Sequence, residues 1–321
     1  MRPYAAVDPD FAKAISKGLA EIPHGRVATC GTIARALGDV RAARAVATWL
    51  VEHPDTPRGH RVIRADSRPV LAAAEQQLGR EGFPMVGGCV DESRIVASLP
   101  DVEFLGVLRA EQQRLASKVI ENDDRGPIEI VAGVDVAYQG KDMYAAAACV
   151  ALADLETVEV ALVRRRVDFP YIPTYLAYRE FPGIEAAIQR LSTRPDVLMI
   201  DGHGRLHPAL FGVACDVGVR LDLPTIGVAK HPLAGRVQPL SEKHEDALPV
   251  RIDGVTRGYA WTPPNRSRAI YVSLGHRISL RHALDLVRKT TRQGYPEALR
   301  IADRISRNMK GNEKREKGAA R

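Results

Sequence analysis

Three carboxylates stand where the surrounding sequence does not ordinarily place charge. Asp135 lies inside IVAGVDVAY, a β-branched, strand-like run. Asp201 ends the apolar run RPDVLMID just before GHGRLHP, and Glu180 lies in YLAYREFPG, a helix-like stretch between the two. A carboxylate in an apolar run has to be paired, bound to a metal or placed at a strand end. One acid from each of three elements suits a hard divalent cation such as Mg²⁺, which takes oxygen ligands and leaves positions for water and phosphate. Such a site supplies an activated water and stabilises the leaving oxygen in phosphodiester hydrolysis. Plainer readings stand beside this one: Glu180 on a solvated helix face with Arg179, Asp201 as a turn residue before Gly202, Asp135 at the end of a strand.

Neighbouring residues extend the chemistry. Gly202 and Gly204 let backbone approach a ligand closely. His203 and His207 bring donors, or a proton-transfer group, to the same loop. Lys230 ends PTIGVAK, a second strand-like run, where a cation neutralises phosphate or simply faces water. In PYIPTYLAYRE, Pro170 and Pro173 stiffen the backbone on both sides of Tyr171-Ile172. A stiff aromatic tip of this kind serves as a wedge in a base stack, or packs on a core.

Elements must deliver these groups. IEIVAGVDVAY, MYAAAACVALAD and VEVALVRRRV read as an antiparallel meander. A helix broken at Pro182, the strand ending at Asp201, a helix from HPALFG through RLDL with Pro208 in its first turn, the strands LPTIGVAK and AIYVSLG, and two closing helices follow. This is an α/β chain with a mixed sheet flanked by helices. Ahead of it, Phe11, Ile15, Leu19 and Ile22 recur at helical spacing. TIARAL, a GDV turn and RAARAVATWLVEH then give helix-turn-helix grammar, or a plain helical hairpin of a bundle, so the first block is small and mostly helical. A helix spans Leu105 to Ile120. The expected division is 1–100, 101–308 and a basic, flexible tail over 309–321.

Lys and Arg number 46 against 39 Asp and Glu, a net charge of +7, which permits a polyanionic partner. The hydrophobic fraction of 45% excludes a wholly disordered chain. Four cysteines, none in C-x-x-C spacing, argue against a zinc knuckle. No signal peptide and no long apolar run is visible, so a reduced, cytoplasmic protein without a membrane partner is the expectation.

GVDVAY, PYIPTYLAYREFPG, DGHGRLHP, PTIGVAK and VSLGHRIS, in that order, resemble endonuclease V from about residue 105 to 308. The resemblance implies an RNase H-like fold and deoxyribonuclease V activity. That activity is Mg²⁺-dependent hydrolysis, with Mn²⁺ as substitute, of the second phosphodiester bond 3′ to deoxyinosine in single- or double-stranded DNA. It leaves 3′-hydroxyl and 5′-phosphate ends. It implies Asp135, Glu180 and Asp201 as metal-binding carboxylates, with Asp303 as a further one. His207 would act near the scissile phosphate, and Lys230 on phosphate or nucleophile. Tyr171 would be in a strand-separating wedge, with Ile172, Gly202 and His276 also at the DNA. Thr174 stands where the family usually has glycine, and Ala209 where it tends to have arginine.

IPHGRV, TIARAL, AARAV and HRVI, within residues 8 to 96, resemble the DNA-binding domain of alkylguanine-DNA alkyltransferases and alkyltransferase-like proteins, which implies a winged helix-turn-helix-like fold for the first block. There the resemblance sets Gly59, in RGHR, at the alkyl-accepting cysteine, and a glycine has nothing to alkylate. Cys30 takes the place of a tyrosine that turns the nucleotide. Arg44 matches the arginine that fills the gap left by an extruded base. The expected whole is a monomeric DNA repair endonuclease with a non-catalytic lesion- or DNA-binding module. An inosine-specific ribonuclease acting on RNA and a non-catalytic damage sensor are the alternatives.

Overall fold

The computed structural model describes residues 9–238 and 246–319, with side chains described up to Met309. Two compact units emerge. One comprises Val7–Glu111 together with the short segment Asp168–Tyr175; the other holds Gln112–Val167 and the chain from Leu176 onward. The division expected at residue 100 falls instead at 111, and the stiff Pro-Tyr-Ile-Pro segment belongs to the N-terminal unit.

In that unit the first helix, α1 (Phe11–Ala20), begins where the Asp10 carboxylate accepts the Lys13 N–H at 2.8 Å. Phe11, Ile15, Leu19 and the following Ile22 are buried, as their spacing predicts. Strand β1 (Ala28–Thr29) leads into α2 (Cys30–Ala36), capped by Thr29 accepting from Thr32 N–H. After a one-turn 3₁₀ segment comes α3 (Ala43–Glu52), the second helix of the helix-turn-helix. Then β2 (Val62–Ile63) pairs in parallel with β1, and α4 (Ala74–Arg80) follows. Strands β3 (Met85–Val86) and β4 (Cys89–Val90) form a hairpin. Its Gly87-Gly88 corner has φ of 59° and 80°, the left-handed pair that a two-residue turn requires. This hairpin is the wing. Helix α5 (Phe104–Ala116) crosses from one unit into the other. It stops short of the expected Ile120, whose N–H donates to His276 Nδ1 at 3.2 Å and not to a carbonyl one helical turn back.

The second unit is built on one mixed sheet. The meander β5 (Ile130–Gln139), β6 (Asp142–Ala151) and β7 (Thr157–Arg166) forms as expected. Helix α6 (Leu176–Gln189) runs unbroken through Pro182, because Phe181, Ile184 and Ala187 bury one face of it against the sheet. Such packing offsets the roughly 3 kcal/mol that an interior proline costs. Strand β8 (Val197–Asp201) lies parallel to β5. Helix α7 (Val213–Leu221) starts five residues after Pro208, later than expected. The stretch before it folds back on the Gly202–Gly204 loop, where Gly212 N–H donates to Gly204 O at 3.0 Å.

Strand β9 (Thr225–Ala229) lies parallel to β8. The short β10 (Arg236–Val237) and the pair β11 (Ala247–Ile252) and β12 (Val255–Trp261) complete one edge, and β13 (Ile270–His276) joins them to β9. The β11–β12 hairpin was not anticipated, although its Asp253-Gly254 corner between β-branched runs is a strong turn signal. The described strands stand in the order β10-β11-β12-β13-β9-β8-β5-β6-β7. Helix α8 (Leu280–Thr290), a ribbon of β14 (Thr291–Arg292) and β15 (Tyr295–Pro296), and α9 (Glu297–Ala319) close the chain. The tail expected to be flexible carries α9 to Ala319, in keeping with its Lys, Glu, Arg and Ala content.

One close approach sets the site. A Cβ built on Gly133 would lie 2.3 Å from the Ala298 carbonyl carbon, so α9 rests directly on the backbone of β5. From Gly133 to Asp135 the strand advances about 6.6 Å, and from Ala298 to Asp303 the helix advances about 7.5 Å. Asp303 therefore comes level with Asp135. We expect Gly133→Ala to lower unfolding free energy by about 1–3 kcal/mol in urea denaturation, the usual range for overpacking, because backbone must move. An unchanged midpoint would show that α9 does not depend on this contact.

Candidate active site

Strand register brings the first two acids together. β5 and β8 are parallel with Val134 opposite Ile200, so the next residues, Asp135 and Asp201, are neighbours at the end of β8. With α9 seated at Gly133, Asp303 completes the group: Asp135, Asp201 and Asp303 each offer a carboxylate oxygen within 4.8 Å of the others. Glu180, expected at the metal with them, is not in this group. It is buried on α6, where Tyr138 donates to its Oε1 at 2.9 Å and Arg179 stacks 4.3 Å from the Tyr138 ring centre.

The electrostatics report mutual repulsion. Burial first, and then the charges of Asp201 and Asp303, push Asp135 up to about 6, against a Ser306 hydrogen bond that favours its charged form. Burial, with the charges of Asp135 and Asp201, pushes Glu180 up to about 8. Asp201 is held from two sides. Lys230, just past the end of β9, donates to Oδ2 at 2.6 Å, and Tyr295 donates to Oδ1 at 3.2 Å. Ser306 donates to Asp135 Oδ2 at 2.6 Å, and Arg307 pairs with Asp303 at 2.8 Å. A cavity of about 430 Å³ opens beside Asp135 and Asp303, lined also by Tyr138 and Arg307. Crowded hard oxygens, with Asp135 among them slow to lose its proton, fit a divalent cation, and the Arg307 side of the cavity fits a phosphate.

The remaining expected residues are scattered. His207 is buried, and its Nδ1 accepts from Ala209 N–H at 3.1 Å. Burial lowers His203 to about 4, so it is neutral near pH 7. Gly202, whose N–H bonds Val228 O at 3.0 Å, is half-buried at the mouth of the loop. His276 is buried, accepts from Ile120 N–H, and is lowered to about 4 by burial and Arg277. Ile172 is also fully buried and is not part of an exposed tip, whereas Tyr171 beside it is 60% exposed. In the N-terminal unit Arg44 is exposed on the first turn of α3. Gly59 is buried, and a Cβ there would sit 3.1 Å from Leu50 Cδ2. Burial pushes the Cys30 thiol up to about 11, so it stays protonated and unreactive near pH 7.

Sequence reasoning assigned nothing to Tyr295, Ser306 or Tyr138. Ser306 carries the one available signal: it lies three residues after Asp303, hence on the same face of α9. Tyr295 is delivered by the β14–β15 ribbon, which no local pattern connects to Asp201.

A mixed sheet flanked by helices, with aspartates from two neighbouring strands and one helix gathered beside basic side chains, has the architecture of a cation-assisted hydrolase of phosphate esters. The profile of the family described as Endonuclease V matches residues 113–304, and that of the 6-O-methylguanine DNA methyltransferase DNA-binding domain matches residues 10–82. Endonuclease V of Roseiflexus castenholzii is 42% identical over 203 residues, which are 63% of this chain and 91% of that protein. The crystal structure of Endonuclease V from Streptomyces avermitilis superimposes with a TM-score of 0.59 at 35% identity, covering 65% of this chain and 94% of that one. That of Ciona intestinalis Endonuclease V, in complex with DNA containing an inosine followed by a ribo-adenosine, shares the fold at 23% identity. It covers 65% of this chain and 99% of that one, with a TM-score of 0.59. The chain belongs to the endonuclease V family. It is a DNA repair endonuclease that carries a DNA-binding domain at its N-terminal end.

Cation binding has a pH signature. Asp135 and Glu180 keep their protons in the folded state at pH values where the unfolded chain has lost them. In the absence of cation these two groups therefore cost stability as pH rises from about 4 to about 8. A divalent cation displaces the protons and removes the repulsion. The gain in Tm from saturating Mg²⁺ should accordingly be small at pH 5 and larger at pH 8 by differential scanning calorimetry. A gain independent of pH would place the cation elsewhere.

Proposed function

We propose that this chain hydrolyses the second phosphodiester bond 3′ to deoxyinosine, using Mg²⁺ or Mn²⁺ held by Asp135, Asp201 and Asp303, and leaves 3′-hydroxyl and 5′-phosphate ends. The observation that carries the reading is the convergence of those three carboxylates within 4.8 Å of one another inside the stretch matched to the endonuclease V family. The bound cation supplies an activated water and charge neutralisation at the scissile phosphate. Glu180, next to this group electrostatically and bonded by Tyr138, holds negative charge or a proton behind it. Lys230 and Tyr295 fix both oxygens of Asp201, so its orientation is set before substrate arrives. Arg307 binds phosphate oxygens, and His207 orients near the reacting group. Tyr171 inserts into the duplex as a wedge, and the Gly202 loop admits the flipped base. The enzyme acts as a cytoplasmic monomer on single- or double-stranded DNA; among the described residues no helix is long and apolar enough to cross a membrane.

The N-terminal unit binds DNA without group transfer. Its α3 presents Arg44 to fill the space an extruded base leaves. Gly59 offers no nucleophile and the Cys30 thiol is protonated. Incubation with O6-methylguanine DNA should leave the protein's intact mass unchanged, where a methyl adduct on any cysteine would overturn the non-catalytic assignment.

The test of the main reading uses a labelled duplex with a single deoxyinosine, with Mg²⁺ or with chelator, and maps the product ends. A Mg²⁺-dependent nick one nucleotide beyond the lesion on its 3′ side is expected. Asp201→Asn should lower kcat by about 10²–10³ while the gel shift on the lesion persists, because it removes charge from the cation site and leaves the base pocket intact. Binding without any nick in the unaltered protein would make it a damage sensor, and a nick only in inosine-containing RNA would make it a ribonuclease.

A further inference from the structure

The segment Asp168–Tyr175 lies in sequence between β7 and α6, inside the stretch matched to the endonuclease V family, yet it packs within the N-terminal unit. Its ends are fastened there. The Phe169 ring meets Phe11 edge-on at 6.3 Å and Phe104 at 6.4 Å between centres. Ile172 and Tyr175 are buried, and Tyr175 donates its hydroxyl to Asp39 Oδ2 at 3.1 Å. The Arg109 guanidinium lies 4.5 Å from the centre of the Tyr175 ring and donates to Thr174 Oγ1 at 2.5 Å. It also stands 3.9 Å from Asp39, whose orientation is fixed by Arg41. Between these anchors only Tyr171 is strongly exposed.

Thr174 makes the fastening informative. Its φ is +70°, a left-handed conformation that glycine adopts freely and a β-branched residue resists. A threonine held in that conformation needs something to hold it, and the Arg109 hydrogen bond to its hydroxyl does so.

We infer that Arg109 and Asp39 are positioning residues for the Tyr171 wedge. The N-terminal unit clasps Thr174 and Tyr175, fixes the conformation of the whole segment, and so makes cleavage of duplex substrates depend on it. The inference rests on the reading of Tyr171 as the strand-separating wedge, and it extends that reading from the nuclease motif to residues of the fused domain. It also means that the N-terminal unit is not a detachable tether.

The experiment uses the full chain and one deoxyinosine strand, presented either paired or single. Strand separation is needed only in the duplex, so the ratio of kcat/KM on the two forms isolates the wedge from chemistry and from general loss of fold. Tyr171→Ala tests the wedge itself and should lower duplex kcat/KM about tenfold with the single-strand value within about twofold. Arg109→Met and, as a milder isosteric change, Asp39→Asn should reproduce that selective loss, about tenfold and about threefold respectively. With glycine at 174 the left-handed turn no longer needs its anchor. Arg109→Met added to Thr174→Gly should then cost less than about threefold relative to Thr174→Gly alone.

Equal losses on duplex and single strand, or no loss on either, would overturn the clasp while a selective Tyr171→Ala defect leaves the wedge standing. Additive losses in the Arg109–Thr174 pair would also overturn it. A Tyr171→Ala variant with an unchanged ratio would instead bring down the wedge reading on which the inference rests. Circular-dichroism melting of each variant identifies any that fail to fold, and Asp39→Asn carries the test if Arg109→Met is one of them.

Discussion

Repulsion among carboxylates is the constraint around which the nuclease unit is organised. Asp135, Asp201 and Asp303 would separate if their backbones allowed it; burial and proximity raise Asp135 to about 6. The scaffold does not allow it. Parallel pairing of β5 with β8 fixes the first two side by side, and the contact of α9 with the bare backbone at Gly133 fixes the third. Lys230, Tyr295 and Ser306 then spend their hydrogen bonds on holding the carboxylates in place. Stability given up to crowd like charges is recovered when a divalent cation replaces the protons, which ties the fold energetically to its chemistry.

What the sequence disclosed about this arrangement follows from where polarity is anomalous. Asp135 and Asp201 interrupt apolar runs, and an acid in such a run advertises itself. Asp303 sits in a charged helical stretch where an acid is unremarkable, and its role depends on a helix-to-strand contact across more than 160 residues. Tyr295 and Ser306 are invisible for the same reason: nothing local to either says that a carboxylate waits opposite. Glu180 was legible as special, whereas its hydrogen bond from Tyr138 and its place outside the aspartate group follow from how α6 packs. His276 shows how far tertiary packing sets an orientation. At the end of β13 it turns inward to the Ile120 N–H, an orientation set by tertiary contacts that neither its motif nor its neighbours specify.

Fold legibility divides along similar lines. The β5–β6–β7 meander and the buried face of α1 follow from period-two and period-3.6 patterns, which are local. The late start of α7 does not, since the residues before it are recruited by the Gly202–Gly204 loop. Pro182 looks like a helix breaker only while the helix is considered alone; with one face buried on the sheet, the loss of a single backbone hydrogen bond is affordable.

In the N-terminal unit, chemistry and conformation are physically separable. An acceptor thiol needs one side chain at one position, and Gly59, buried beside Leu50, has none to offer. Holding Thr174 at a positive φ needs a constellation: Arg109 on α5, Asp39 at the turn before α3, and the aromatic packing of Phe11, Phe104 and Phe169. None of these groups has reactive chemistry of its own. Their joint effect is conformational, and a conformation that a β-branched residue does not favour persists only where surrounding contacts over-determine it. The side chains that hold Thr174 and Tyr175 are thus a separate set from the one that would have accepted an alkyl group. A glycine at position 59 therefore places no constraint on how they hold the Asp168–Tyr175 segment.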